Sequence, residues 1–188
     1  CFHCAADGVC VYQDGFDALL RKIQRADSIV YAFSIRDHSM GALFKTYDDR
    51  QFCNGHRAVT AGKPMAYLVD GELSQEENLR MILEARCQMG ENFLAGLSTN
   101  EGVGADSTAA CADKLAYALK HRMTVNKNFY GVGGGKIFRD LVYEMQGMMQ
   151  EDHRFYKKKH LYDFPQKKWD TILFMKLAGL LLKVPGCK

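Results

Sequence analysis

Three thiols stand within the opening stretch "CFHCAADGVC", in the spacing Cys1-x2-Cys4-x5-Cys10. Thiolates packed this closely let one short loop wrap a soft metal centre, because a cubane iron–sulfur cluster takes four thiolates. A zinc site could instead draw on Cys1, Cys4, Cys10 and His3, with strain, since His3 adjoins Cys4. The other cysteines, Cys53, Cys87, Cys111 and Cys187, are scattered singly and read as ordinary buried or surface thiols. An odd set of seven, three clustered and four scattered along a 188-residue chain, is unlike a secreted disulfide scaffold. It points to a reducing, cytoplasmic setting.

Few other residues carry chemistry by pattern alone. His38 lies in a polar stretch where a structural histidine is the commoner reading. "GVGGGK" (131–136) lacks the spacing of a Walker loop and has no strand leading into it, so it reads as a tight turn before a helix. Asp140, Glu144, Asp152 and His153 share a helical stretch without the paired-histidine spacing that suggests a metal. The formal charge of +3 is too small to imply nucleic acid, and the late basic runs at 157–160 and 166–169 read as solvated surface. The longest apolar run, 171–184, contains Lys176 and Lys183 and is too short for a transmembrane segment. It reads as a buried or partner-facing helix.

The elements that would position these groups alternate in type. Residues 14–28 place Phe16, Leu19, Leu20 and Ile23 on one helical face, and "SIVYAF" (28–33) suits a strand buried on both faces. A polar loop (34–39) and a helix (40–50) follow. "KPMAYLVD" (63–70) reads as the second strand. Residues 73–90 read as a helix opened by Ser74 and Glu77 in capping-box spacing and stopped at Gly90. "NFLAGLS" (92–98) is the third strand, 101–107 a loop, and 108–123 a helix. Alternation of this kind predicts βαβ units around a parallel sheet, an α/β fold, over 1–123. Beyond it, 124–188 reads as a helical C-terminal extension with helices near 136–151 and 167–183. Parallel sheets bind ligands beyond the C-terminal ends of their strands, so the loops after 28–33, 63–70 and 92–98 form the candidate ligand face.

The stretch 1–50 resembles the middle of the flavodoxin-like NAD(P)H-dependent FMN reductases, a family that includes iron–sulfur flavoproteins. In that family a cysteine-rich loop precedes a helical segment, then a strand ending in a Ser-Pro-x-Tyr-type loop, then a helix running into Asp-Arg. The matching positions here are Ser34 and the pair Asp49-Arg50. "GKPMAYLVDGELSQEE" matches the next strand, 108–123 the last helix, and the tail from Phe129 resembles an extension carried by a subset of the family. Two departures stand out. Ile35 and Asp37 occupy the proline and aromatic positions of the strand-end loop. The family's opening strand, phosphate-binding loop, helix and second strand, roughly forty residues, are not in this sequence, so the strand at 28–33 is expected to be an open edge.

The resemblance implies a flavodoxin-like parallel sheet sandwiched by helices. It implies an FMN-containing oxidoreductase that takes a hydride from NAD(P)H and passes electrons to a small-molecule or protein acceptor. The implied cofactor-binding residues are Ser34, Ile35, Arg36, Asp37, His38 and Ser39, with Asp70, Gly71 and Glu72 from the next strand end. Cys1, Cys4 and Cys10 match the last three cysteines of the family's C-x2-C-x2-C-x5-C motif, which implies a [4Fe-4S] cluster, although some members keep such cysteines without one. Homo-oligomers are usual in the family. Two alternatives stand beside this reading: a flavodoxin-like structural or interaction module that has lost FMN, and a cluster-bearing electron-transfer subunit without flavin.

Overall fold

A computed structural model describes residues 3–101, 107–124, 127–163 and 168–184. Its elements in chain order are α1 (His3–Asp7), α2 (Phe16–Arg25), β1 (Ile29–Arg36), β2 (Ser39–Met40), α3 (Ala42–Arg50), β3 (Pro64–Asp70), α4 (Glu77–Met89), β4 (Phe93–Thr99), α5 (Thr108–His121), α6 (Phe129–Glu144), α7 (Gln150–Lys158) and α8 (Trp169–Leu181). Short 3-10 turns occupy Gln51–Asn54 and Leu73–Gln75. The chain forms two compact units: residues 20–50 with 58–132, and residues 1–19 with 51–57 and 133–188.

The first unit is the α/β one. Its sheet has the order β2-β1-β3-β4, with β1, β3 and β4 parallel and β2 antiparallel. The register runs from Ile29 opposite Met65 to Ser34 opposite Asp70, so the strand ends that should face a ligand lie level. Period-two alternation sends Ile29, Tyr31, Phe33 and Ile35 of β1 into a core with Met65, Tyr67, Val69, Leu79, Leu83 and Leu97. Aromatic contacts knit that face: Tyr31 stacks on Tyr67, Phe33 stacks on Phe44, and the Tyr31 and Tyr47 hydroxyls are 2.9 Å apart. Helix α5 packs on β4 and β3. On the same side of β1, Val30 is 48% exposed and Ala32 is exposed. The first strand is therefore buried on one face, where its β-branched run had suggested both. Along its outer edge only the two residues of β2 pair with it among the described residues, at Ile35 and Arg36.

Two local expectations change. The stretch 73–90 is not one helix opened by a capping box: Ser74 lies in the 3-10 turn, its N–H directed at the Glu101 carboxylate, and α4 starts at Glu77 without a side-chain cap. The glycine-rich segment is helical rather than a turn, forming the front of α6. Asn128 accepts from the Tyr130 N–H, and the Gln88 side-chain oxygen accepts from the N–H groups of Asn128 and Gly131. These contacts satisfy amides at the start of the helix and offset glycine's penalty of about 1 kcal/mol per residue.

The second unit is helical and includes α7, which the sequence pattern did not reveal. Its buried side chains include Val142, Tyr156 and Ile172, together with Asp152 at 2% exposure. Gly147 and Gly179 let α8 lie backbone to backbone on the segment after α6: a Cβ on Gly179 would stand 1.9 Å from the Gly147 oxygen. Helix α8 buries Ile172 and Gly179 but leaves Trp169, Leu173, Phe174, Leu177, Leu180 and Leu181 exposed.

Candidate functional site

The α/β unit carries a cleft at the C-terminal ends of its parallel strands, as the topology requires. It has a volume of about 520 Å³ and is lined by Ala32, Phe33, Ser34, Leu68, Val69, Asp70, Ser98, Thr99, Asn100 and Thr108. Its polar rim is organised. Asn100 donates to the Asp70 carboxylate at 2.8 Å and accepts the Gly71 N–H at 2.9 Å, bridging the ends of β3 and β4. Ser98 and Thr108 hydroxyls lie 3.1 Å apart, joining β4 to the first turn of α5, whose N-cap Ser107 accepts the Ala110 N–H. Thr108 thus brings a helix N-terminus, with its positive dipole end, to the wall of the cleft.

A second cleft of about 520 Å³ flanks the other side of the β1 end. It is lined by Ala32, Phe33, Ser34, Arg36, Gly41, Ala42, Leu43, Phe44 and Tyr47. Its wall is aromatic where the first is polar, with the Arg36 guanidinium as its cation. Burial first, then the hydrogen bond with Tyr31, pushes the Tyr47 phenol up, so it stays protonated. Asp48, buried behind it and 2.5 Å from Arg86, is also pushed up, by desolvation that outweighs Arg86.

The expected 34–39 loop is half strand. Ser34, Ile35 and Arg36 continue β1, Ser39 opens β2, and Asp37 with His38 forms a two-residue hairpin turn. Both turn residues are left-handed, at φ 49° and 59°, as a two-residue hairpin of this twist demands. His38 is exposed, with Nδ1 2.8 Å from Glu76 Oε1. Gly71, at φ 131°, lies where a Cβ would be 3.0 Å from the Ile35 Cβ, so the ends of β1 and β3 nearly touch. Glu72 holds Gln75 within the adjoining turn. Ser34 and Asp70 thus share the polar cleft and Arg36 faces the aromatic one, whereas neither cleft is lined by Asp37, His38, Ser39 or Glu72. Sequence reasoning did not single out Ser98, Asn100 and Thr108. Ser98 and Asn100 were marked only as part of the loop after the third strand, and Thr108 only as the start of a helix.

Cys4, Cys10 and Cys53 belong to the helical unit. Cys1 lies outside the described residues; Cys4 sits in α1, which packs on α7 and on the 51–54 turn, and the Cys4 and Cys10 thiols are half-buried. Asp17 lies 3.4 Å from the Cys10 N–H and accepts it. Cys53, which sequence reasoning set aside, is buried, and burial followed by the neighbouring Cys10 and Cys4 pushes its thiol up to about 11. Cys87 is pushed up to about 12 by burial alone. Among the described residues no three histidine, cysteine or acidic side chains converge at metal-ligand spacing. The soft donor set itself suits a thiophilic metal.

Parallel strands in the order β1-β3-β4, helices on the sheet and a cleft at the strand ends define an α/β protein of flavodoxin-like fold. No family model matches the chain. It is similar to the iron–sulfur flavoprotein of Archaeoglobus fulgidus, with 24% identity over 168 residues, covering 85% of this chain and 76% of that protein. Among the described residues no helix is long and apolar enough to cross a membrane.

Proposed function

We propose that the chain is a flavin-dependent oxidoreductase that binds FMN in the clefts beside the end of β1. The observation that carries this reading is the pairing of one aromatic and one polar cleft around Ser34, which suits a flat ring with a hydrogen-bonding edge. Similarity to an iron–sulfur flavoprotein supports it. Flavin chemistry, when the group is bound, is hydride acceptance from reduced nicotinamide and delivery of electrons onward. The chain's own residues bind and orient. Phe33, Phe44 and Tyr47 supply the apolar wall, Arg36 a cation at its edge, and Ser34 with the Asn100-held Asp70 the polar contacts. No side chain acts as acid or base, so the protein contributes position and water exclusion.

Within this reading NAD(P)H is the donor and a small molecule or protein the acceptor. Cys1, Cys4 and Cys10 would hold a [4Fe-4S] cluster, which supplies one-electron transfer when present. The protein acts in the cytoplasm as a homo-oligomer, and the exposed apolar side of α8 supports self-association.

The test is the chain purified under nitrogen and titrated with FMN. A yellow preparation, or quenching of flavin fluorescence whose affinity weakens about ten- to hundredfold in Asp70→Ala through loss of one charge-assisted contact of about 1.5–3 kcal/mol, supports the proposal. A colourless chain that leaves FMN fluorescence unchanged overturns it. That result would favour the rival reading, an interaction module without flavin, for which the hairpin at 37–38 in place of an open loop speaks.

A further inference from the structure

The core face of β1 carries a phenol whose hydroxyl packing alone does not need. Tyr31, half-buried, stacks on Tyr67 of β3 with ring centroids 5.7 Å apart and meets Phe44 of α3 edge-on at 5.6 Å. Its hydroxyl lies 2.9 Å from that of Tyr47, also on α3. Tyr31 lines neither cleft beside the β1 end, whereas Phe44 and Tyr47 belong to the wall of the aromatic one. We propose that Tyr31 is a positioning residue for the flavin, its hydroxyl fixing the Tyr47 ring in the orientation that the cleft wall presents. This rests on the reading of that cleft as part of an FMN site.

The support is the way the wall is built from behind. A phenylalanine would fill nearly the same volume as Tyr31, but a phenol among aromatic rings has to find a partner. The partner it meets is another phenol, on the wall itself. Burial raises the pKa of both, so the contact joins two neutral hydroxyls. The Tyr47 ring also tilts against Tyr31 at 5.6 Å and against Phe44 at 5.8 Å, and Phe44 stacks on Phe33 of β1 at 4.5 Å. Next along α3, Asp48 is buried and lies 2.5 Å from Arg86 of α4, which pins the backbone that carries Tyr47. With the backbone held and the ring packed on its inner side, the hydroxyl pair sets where the ring points.

The gain is preorganisation. A flat ligand that stacks on a mobile ring must first order it, at a cost that corresponds to about two- to tenfold in affinity. A ring already tethered to the sheet avoids that loss. Tyr31 thus acts on the ligand only through Tyr47, from the layer of side chains behind the wall.

The experiment loads the full chain with FMN and compares it with Tyr31→Phe, Tyr47→Phe and the double variant. Tyr117→Phe, an exposed tyrosine of α5 that lines neither cleft, is the control and should match wild type. Affinity is read by quenching of flavin fluorescence, the geometry of the bound ring by visible circular dichroism, and the stability of the flavin-free chain by far-ultraviolet melts. Each single variant should weaken FMN about two- to tenfold and alter the visible dichroism of the bound flavin. The double variant should be no weaker than the weaker single, because all three lack the same hydrogen bond. A role confined to packing would lower the melt and leave the visible dichroism as it is in wild type. Should Tyr31→Phe not fold, Tyr47→Phe removes the same bond from the wall side and decides by the same two readouts. Wild-type affinity and dichroism in Tyr31→Phe, or single losses that add in the double variant, overturn the positioning role and leave the flavin reading in place. A wild-type chain that binds no FMN overturns both.

Discussion

Gly55→Ala should be among the most damaging small substitutions in the helical unit, and its cost should depend on Asp152. Gly55 lies at φ 60°, and a Cβ there would stand 2.2 Å from Oδ1, 2.4 Å from Oδ2 and 2.6 Å from Cγ of Asp152. Two penalties follow. The left-handed backbone costs an L-residue about 1–2 kcal/mol. The methyl also evicts a carboxylate that holds His56 and neutralises the largely buried Arg57. Breaking a buried ion pair in this way costs about 3–5 kcal/mol, so the substitution should total about 4–7 kcal/mol by the same two sources. Asp152→Ala, which leaves Arg57 with only the longer 3.5 Å ion pair to Glu151, should cost about 3–5 kcal/mol.

In the double variant the new methyl meets no carboxylate, and Gly55→Ala then adds only its backbone term of about 1–2 kcal/mol. The two costs should therefore fall short of additivity by about 3 kcal/mol or more, the size of the shared ion-pair loss. Urea unfolding followed by circular dichroism measures the cycle, with an osmolyte added equally to all samples if a single variant is unfolded in buffer. Additivity within about 0.5 kcal/mol would refute the reasoning, because it would mean that the methyl and the carboxylate never compete for one place.

Three further outcomes are expected. His38→Gly should stabilise the α/β unit by about 0.5–1 kcal/mol, because glycine adopts φ 59° without a Cβ penalty and the exposed contact with Glu76 is weak; a lower melting temperature would contradict the hairpin assignment. His153 has its pKa lowered by burial, then by Lys157 and Lys176, so the unfolded chain binds the extra proton first: stability should hold above about pH 6.5 and decline as pH falls below it. His153→Gln should flatten that decline in melts from pH 7.5 to 5, and parallel slopes would refute the assignment. Ser107→Ala should cost about 1 kcal/mol by removing the acceptor of the Ala110 N–H, read as faster hydrogen exchange at the start of α5 and a lower urea midpoint.

The parts of the fold that could be read from sequence are those in which local pattern and tertiary demand agree. The runs at 28–33, 63–70 and 92–98 became β1, β3 and β4 because β-branched and aromatic residues there meet a core on the pleated face. Where a distant group takes over a local role, the pattern misleads. Ser74 does not cap α4 because it lies inside the 3-10 turn that precedes the helix, and the glycines of α6 became helical because Gln88, on another helix, satisfies the amides at its start. Helix α7 escaped notice for a similar reason: its inward side is Asp152 and Tyr156, a carboxylate and a phenol that become core only beside His56.

The candidate sites divide along the same line. Topology alone puts Ser34 and Asp70 at the strand ends, so the cleft was legible, while Asn100 and Thr108 mattered only once β4 lay beside β3. The hairpin at 37–38 depends on Met40 pairing back onto Ile35, a choice that polar residues at 34–39 do not announce. Cys53 is the clearest case. A single cysteine between phenylalanine and asparagine has no local mark of function, and spacing arguments stop at Cys10. Its burial near Cys4 and Cys10 comes from α1 packing on the 51–54 turn and on α7, with Arg57 holding the turn and Arg154 the end of α1.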